Sequence, residues 1–193
     1  MITDPLPRQA PSRAEYGRSD GMRSLALPEA RSLRPWAEAI EDALADGTRG
    51  PLASACCAFA AEVARAHGVA APPVTVLGVR PHRTADGRCT YEKFGDYDLR
   101  TAEIRLWTKT AMRHQVSAYG TFLATLCHEV CHHLDVVRLG LPGSPHTRGF
   151  YERAGLLYHH ARGTPRKALV WVALPAGRYR IDWPRTMRSP SQP

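Results

Sequence analysis

An α+β domain is the fold class this sequence predicts, and three observations carry the prediction. Apolar residues repeat at helical spacing in two segments before residue 68, alternate with period two between Val74 and Trp107, and return to helical spacing over residues 117–139. At 193 residues the chain suits one domain of ordinary size. The expected organisation is a disordered leader at residues 1–31, a folded domain at 32–183 and a flexible tail at 184–193.

The leader is expected from Pro5, Pro7, Pro11 and Pro28 among Ser, Arg and Gly, with no apolar periodicity. Periodicity starts near Ser32, a candidate N-cap, and Trp36, Ile40, Ala43 and Leu44 continue it to Gly47. A second helix, Ala-rich with Phe59 and Val63 on one face, is expected from Pro51 to His67, where Gly68 supplies a stop. After Pro72-Pro73 the pattern becomes strand-like. Val74–Val79, Cys89–Tyr97 and Glu103–Trp107 are expected to form a small antiparallel meander, with a turn at Thr84–Arg88.

The central helix is expected from Ser117 to Leu139. Its projection gathers Leu123, Leu126, Cys127, Val130 and Leu134 on one side, and Thr121, Thr125, His128, His132 and Asp135 on the other. Gly140 and Pro142 end it. Ser144-Pro145 then reads as the N-cap and first residue of a helix running to His160, which would show His146 in its first turn. Short strands are expected around Ala168–Val172 and Tyr179–Trp183 before the tail.

The chemistry concentrates in His128-Glu129-Val130-Cys131-His132. Histidines four apart on a helix share a face, so both imidazoles can reach one tetrahedral zinc while Glu129 turns toward a metal-bound water. Glu129 would then serve as general base and later return the proton to a departing amine. For a third ligand, a histidine six residues beyond His132 is ruled out, since that position is Arg138. A spacing of about twenty residues lands on Glu152, and His146 is the other candidate, favoured because the preceding proline would fix its orientation. Asp135 suits a hydrogen bond to a ligand's ring N–H. His133 is expected to face solvent, Cys127 and Cys131 to fill the core, and Tyr151, Tyr158 and Arg148 are candidates for holding an oxyanion.

Composition narrows the context. The net charge is +8, and residues 148–188 hold nine basic side chains against Glu152 and Asp182. That makes nucleic acid a candidate partner, although 23 of the 26 basic residues being Arg also fits an Arg-rich coding bias. Five cysteines without a disulfide-like spacing suit a reducing cytoplasm. No apolar run approaches the ~20 residues that a membrane helix needs, and no secretory signal is read in the first thirty residues.

Three stretches together resemble the SprT-like metalloproteases, the group that includes the Spartan-type proteases. They are Phe94-Gly95-Asp96-Tyr97-Asp98 with Ile104-Arg105-Leu106, then Thr125–His132, then His146-Thr147-Arg148-Gly149-Phe150. The resemblance implies a small zincin-like α+β fold, zinc on His128, His132 and His146, and catalysis by Glu129. It also implies a protein or peptide substrate and brings nucleic acid forward as a partner. The chain departs from the family in having no C-x-x-C pair, hence no zinc ribbon after the protease core. Two other expectations stand beside the peptidase: a nucleic-acid-associated protein using the basic C-terminal region, and a zinc-binding protein without catalysis.

Overall fold

Long amphipathic segments become helices and the period-two segments become strands in a computed structural model describing residues 1–192. Helices α1 (Ala10–Gly21), α2 (Ala30–Ala45) and α3 (Arg49–His67) come first. Strands β1 (Val74–Val79), β2 (His82–Ala85), β3 (Arg88–Glu92), β4 (Gly95–Tyr97) and β5 (Ile104–Lys109) follow. Then come α4 (Tyr119–Val137) and α5 (Arg148–Arg162). The chain closes with β6 (Arg166–Lys167), β7 (Trp171–Leu174), β8 (Arg178–Ile181), α6 (Trp183–Arg188) and β9 (Ser191–Gln192). The fold class is α+β, as expected. No helix among the described residues is long and apolar enough to cross a membrane.

The core lies between the helices and one face of the main sheet. Leu33, Ile40, Phe59 and Val63 from α2 and α3 meet Ile104 and Leu106 of β5 and Leu123, Leu126, Val130 and Leu134 of α4. Cys127 and Cys131 are buried in the same cluster, as expected. Helix α3 ends where Gly68 turns left-handed (φ 66°), a conformation that costs glycine nothing for want of a Cβ.

The main sheet has the order β1-β5-β4 and is mixed, which corrects the expected meander. β1 runs parallel to β5, pairing Val74 with Ile104 and Val76 with Leu106, whereas β4 is antiparallel to β5 along its other edge. The segment expected as one strand from Cys89 to Tyr97 is broken at Lys93-Phe94 into β3 and β4. β3 pairs with β2 in a separate exposed hairpin, turned by Asp86 and Gly87 at φ 50° and 70°. Alternation along a strand marks a buried face but says nothing about the neighbour it will take.

Both chain ends also differ from expectation. The leader contains α1, and the tail contains α6 and β9, which pairs with β6. α1 lies with its C-terminal carbonyls against the start of α5, at Gly149. A Cβ there would collide with the carbonyl oxygens of Ser19, Asp20 and Met22, so only glycine permits this approach. The arrangement sets the negative end of one helix dipole against the positive end of another. Arg153, fully buried on α5, donates to the carbonyls of Ser19 (3.1 Å) and Met22 (2.5 Å). Arg148, at the start of α5, is ion-paired with Asp20 of α1.

Candidate metal centre

His128 and His132 project from α4 one turn apart. That helix is covered on most sides, with every residue from Glu129 to Asp135 buried. The face opposite the apolar stripe is therefore roofed over by α5 and the loop between the helices, which leaves a cleft at the histidines.

His146 reaches the same point from that loop rather than from a helix. Thr147 is the N-cap of α5, its hydroxyl accepting from the Phe150 N–H at 3.1 Å, so α5 begins at Arg148 and not at Pro145. Ser144 does not cap because its hydroxyl is committed elsewhere. It lies 2.7 Å from Nδ1 of His132 and donates to Asp135 at 3.0 Å. To do so it takes a left-handed backbone (φ 39°), a conformation disfavoured for residues with a Cβ. Asp135 thus acts on His132 through Ser144, not directly, and is itself gripped by Arg153 at 2.8 and 3.0 Å.

The three Nε2 atoms converge. His128 and His146 are 3.0 Å apart there, and His132 is 3.1 Å from each. Hydrogen bonding among the rings does not account for the contact between His132 and His146. Ser144 donates to Asp135, so it accepts from His132, whose only proton is then on Nδ1 and whose Nε2 is a bare lone pair. His146 has the Asp4 carboxylate 3.5 Å from its Nδ1, which favours the same tautomer. Lone pairs at such separations repel unless a cation lies between them. Tetrahedral zinc with Zn–N bonds of 2.0–2.1 Å would set its ligand nitrogens about 3.3 Å apart. This three-histidine group is the metal-binding geometry among the described residues, and Glu152 is not part of it. Glu152 is instead ion-paired with Arg166 at 2.8 Å.

Burial, aided by the neighbouring His146, depresses the pKa of His128 to about 3. Burial and both other imidazoles depress that of His132 to about 2. Both rings are therefore neutral across the physiological range, the state in which imidazole binds a metal.

Comparison with known proteins gave no match: no family model fits the chain, nor does any curated protein or solved structure.

The cleft measures about 380 Å³ and is lined by the three histidines, Glu129, Gly95, Asp96, Tyr97, Leu99, Gly143, Ser144 and Asp4. Glu129 is buried beneath β4. A Cβ on Gly95 would come within 2.6 Å of Thr125 Cγ2 and 3.1 Å of Glu129 Oε1. Burial, with the charge of Asp96 adding to it, raises the Glu129 pKa to about 8. Asp96 itself is held below the usual carboxylate range. Burial opposes this, but hydrogen bonds from Arg105 and Lys93 outweigh it.

Several side chains differ from the sequence reading. His133 is buried, not solvent-facing. Its Nε2 donates to the Ala70 carbonyl at 2.8 Å, leaving Nδ1 to accept from Tyr97 at 3.2 Å, and so it ties β4 to α4. Tyr151 donates to the Ile2 carbonyl, Tyr158 accepts from Arg162, and Arg148 pairs with Asp20, so all three oxyanion candidates have structural partners. Among the nine basic residues of 148–188, Arg148, Arg153 and Arg166 are engaged in internal ion pairs, so part of that charge excess is structural wiring. Asp4 was missed, since nothing in a proline-rich leader marks one aspartate as part of a site.

Proposed function

We propose that this chain is a zinc-dependent metallopeptidase of the SprT-like, zincin kind. The observation that carries the reading is the meeting of three imidazole Nε2 atoms beside a buried carboxyl, under the free edge of a sheet. His128, His132 and His146 would hold the zinc, which supplies Lewis acidity toward a carbonyl and lowers the pKa of water.

Glu129 is the proton carrier. Burial favours its protonated form in the metal-free protein, and a dication held by the adjacent histidines would favour the carboxylate, the form that can accept a proton from attacking water and return it to the leaving amine. β4 is an edge strand, three residues long and paired with β5 on one side only. An extended peptide can add along its other side through main-chain hydrogen bonds. Gly95, having no side chain, keeps the backbone of that strand close to Glu129. Lys93 and Arg105 neutralise Asp96 at the rim, so the approach carries little net negative charge.

Glu129→Gln separates binding from chemistry. The variant is expected to bind zinc like the wild type and to lose cleavage of an unstructured protein substrate by at least ~100-fold. Undiminished turnover in the variant contradicts the mechanism. A wild-type protein that binds zinc and cleaves nothing favours a non-catalytic zinc protein instead.

A further inference from the structure

Residues 2–6 form an extended strap that runs beside β8 to the turn of the β7–β8 hairpin and meets the loop bearing His146 on the way. Ile2 bridges to Arg180 on β8. Thr3 donates to the Tyr179 carbonyl at 2.9 Å, and its hydroxyl accepts from the Tyr179 N–H at 2.8 Å. Leu6 donates to the Ala176 carbonyl at 3.1 Å, so the strap is pinned on both sides of Asp4.

Asp4 makes the contact with the site. Its N–H donates to the His146 carbonyl at 2.8 Å, and its Oδ2 accepts from the His146 N–H at 2.8 Å. The same Oδ2 is 3.5 Å from Nδ1 of the His146 ring. Tyr16 of α1 donates to the Asp4 carbonyl at 3.2 Å. Asp4 is therefore placed by its own backbone, and its carboxylate by the backbone of the residue whose ring it faces.

We infer that Asp4 is the positioning residue for the third ligand, setting the tautomer and direction of the His146 ring so that Nε2 points at the other two histidines. His128 and His132 are fixed by sharing a rigid helix, and His132 is further fixed by Ser144. His146 sits in a loop, where a free imidazole would sample both tautomers and several rotamers. A carboxylate beside Nδ1 selects the Nδ1–H form and raises the basicity of Nε2, and loss of such partners lowers metal affinity by roughly 10–100-fold. The metal centre thus includes a residue more than a hundred positions away in sequence, and the strap is a component of the site.

This inference rests on the metal-centre reading above, and the test keeps the two apart. Zinc affinity would be measured by competition with a chromogenic chelator for the full-length wild type, Asp4→Ala and Asp4→Asn. The His146 ring nitrogens would be followed by NMR in the metal-free proteins. Asp4→Ala is expected to bind zinc roughly 10–100-fold more weakly and to lose the uniform Nδ1–H signature. Asp4→Asn keeps an acceptor for the His146 N–H, so it is expected to keep the fold and to lose affinity by a smaller factor. Zinc affinities in both variants within about twofold of a zinc-binding wild type would overturn the role of Asp4 alone. So would a lower melting temperature with the ring signature unchanged, which is what a merely structural contact would give. A wild type that binds no zinc overturns the metal reading and this inference together.

Discussion

Replacing Arg153 with methionine removes the charge that holds the second layer of the site together. Arg153 and Asp135 are both fully buried, and their bidentate contact at 2.8 and 3.0 Å is the most enclosed ion pair among the described residues. The variant would leave a buried carboxylate with only Ser144 as partner, and the carbonyls of Ser19 and Met22 without their donor. Breaking one side of a buried pair costs about 3–5 kcal/mol, a large share of the ~5–15 kcal/mol that stabilises a whole domain. For a chain of this length that amounts to a fall in melting temperature of roughly 6–20 °C.

The deficit should depend on pH. Burial raises the Asp135 pKa above its ordinary value even with Arg153 and Ser144 opposing the shift, and loss of Arg153 must raise it further. A carboxyl with a raised folded pKa binds more protons folded than unfolded, so its contribution is favourable at low pH and is lost as pH rises through the folded value. The assay is urea unfolding of metal-free wild type and Arg153→Met at pH 8 and pH 5, with the deficit expected to be smaller at pH 5. A deficit below ~1 kcal/mol that is equal at both pH values would refute the reasoning.

Two further outcomes follow from the same geometry. Gly95→Ala places a methyl within 3.1 Å of the Glu129 carboxyl and 2.6 Å of Thr125, so it should displace Glu129 and reduce peptide cleavage while leaving zinc affinity near that of the wild type; unchanged turnover contradicts the placement of Glu129 under β4. Asp20 has a lowered pKa because its hydrogen bonds and charge contact with Arg148 outweigh burial. A depressed carboxylate contributes stability that is present above its unfolded value of 3.8 and lost as pH falls through the folded one. Acid unfolding of Arg148→Met should therefore show a shallower loss of stability below that value than wild type, and parallel curves would contradict it.

What the sequence disclosed depended on which force built each element. β1 was read to the residue, and α3 with its Gly68 stop and α4 with its buried stripe nearly so, because apolar burial sets their periodicity. The helical spacing of His128 and His132 likewise follows from backbone geometry alone. α1 was not legible because it docks mainly through polar contacts. Ser19 meets Thr147 at 2.9 Å, Asp20 meets Arg148, and Glu15 accepts from the Gly143 N–H at 2.7 Å, none of which leaves an apolar stripe. His133 looked solvent-facing because its partners, Ala70 and Tyr97, come from segments remote in sequence. His146 was found, but its setting was misread, since a Ser-Pro step looks like a helix start until the serine hydroxyl is seen to be engaged by His132 and Asp135.

Metal binding by the purified protein is the most direct measurement of the central claim. Zinc content and affinity would be determined for wild type and for His128→Ala, His132→Ala, His146→Ala and Glu152→Ala. One zinc per chain is expected in wild type and in Glu152→Ala, since that carboxylate is paired with Arg166 away from the triad, and each histidine variant should lose tight binding. A wild type without zinc affinity, or a His146→Ala protein that binds as tightly as wild type, would contradict the account.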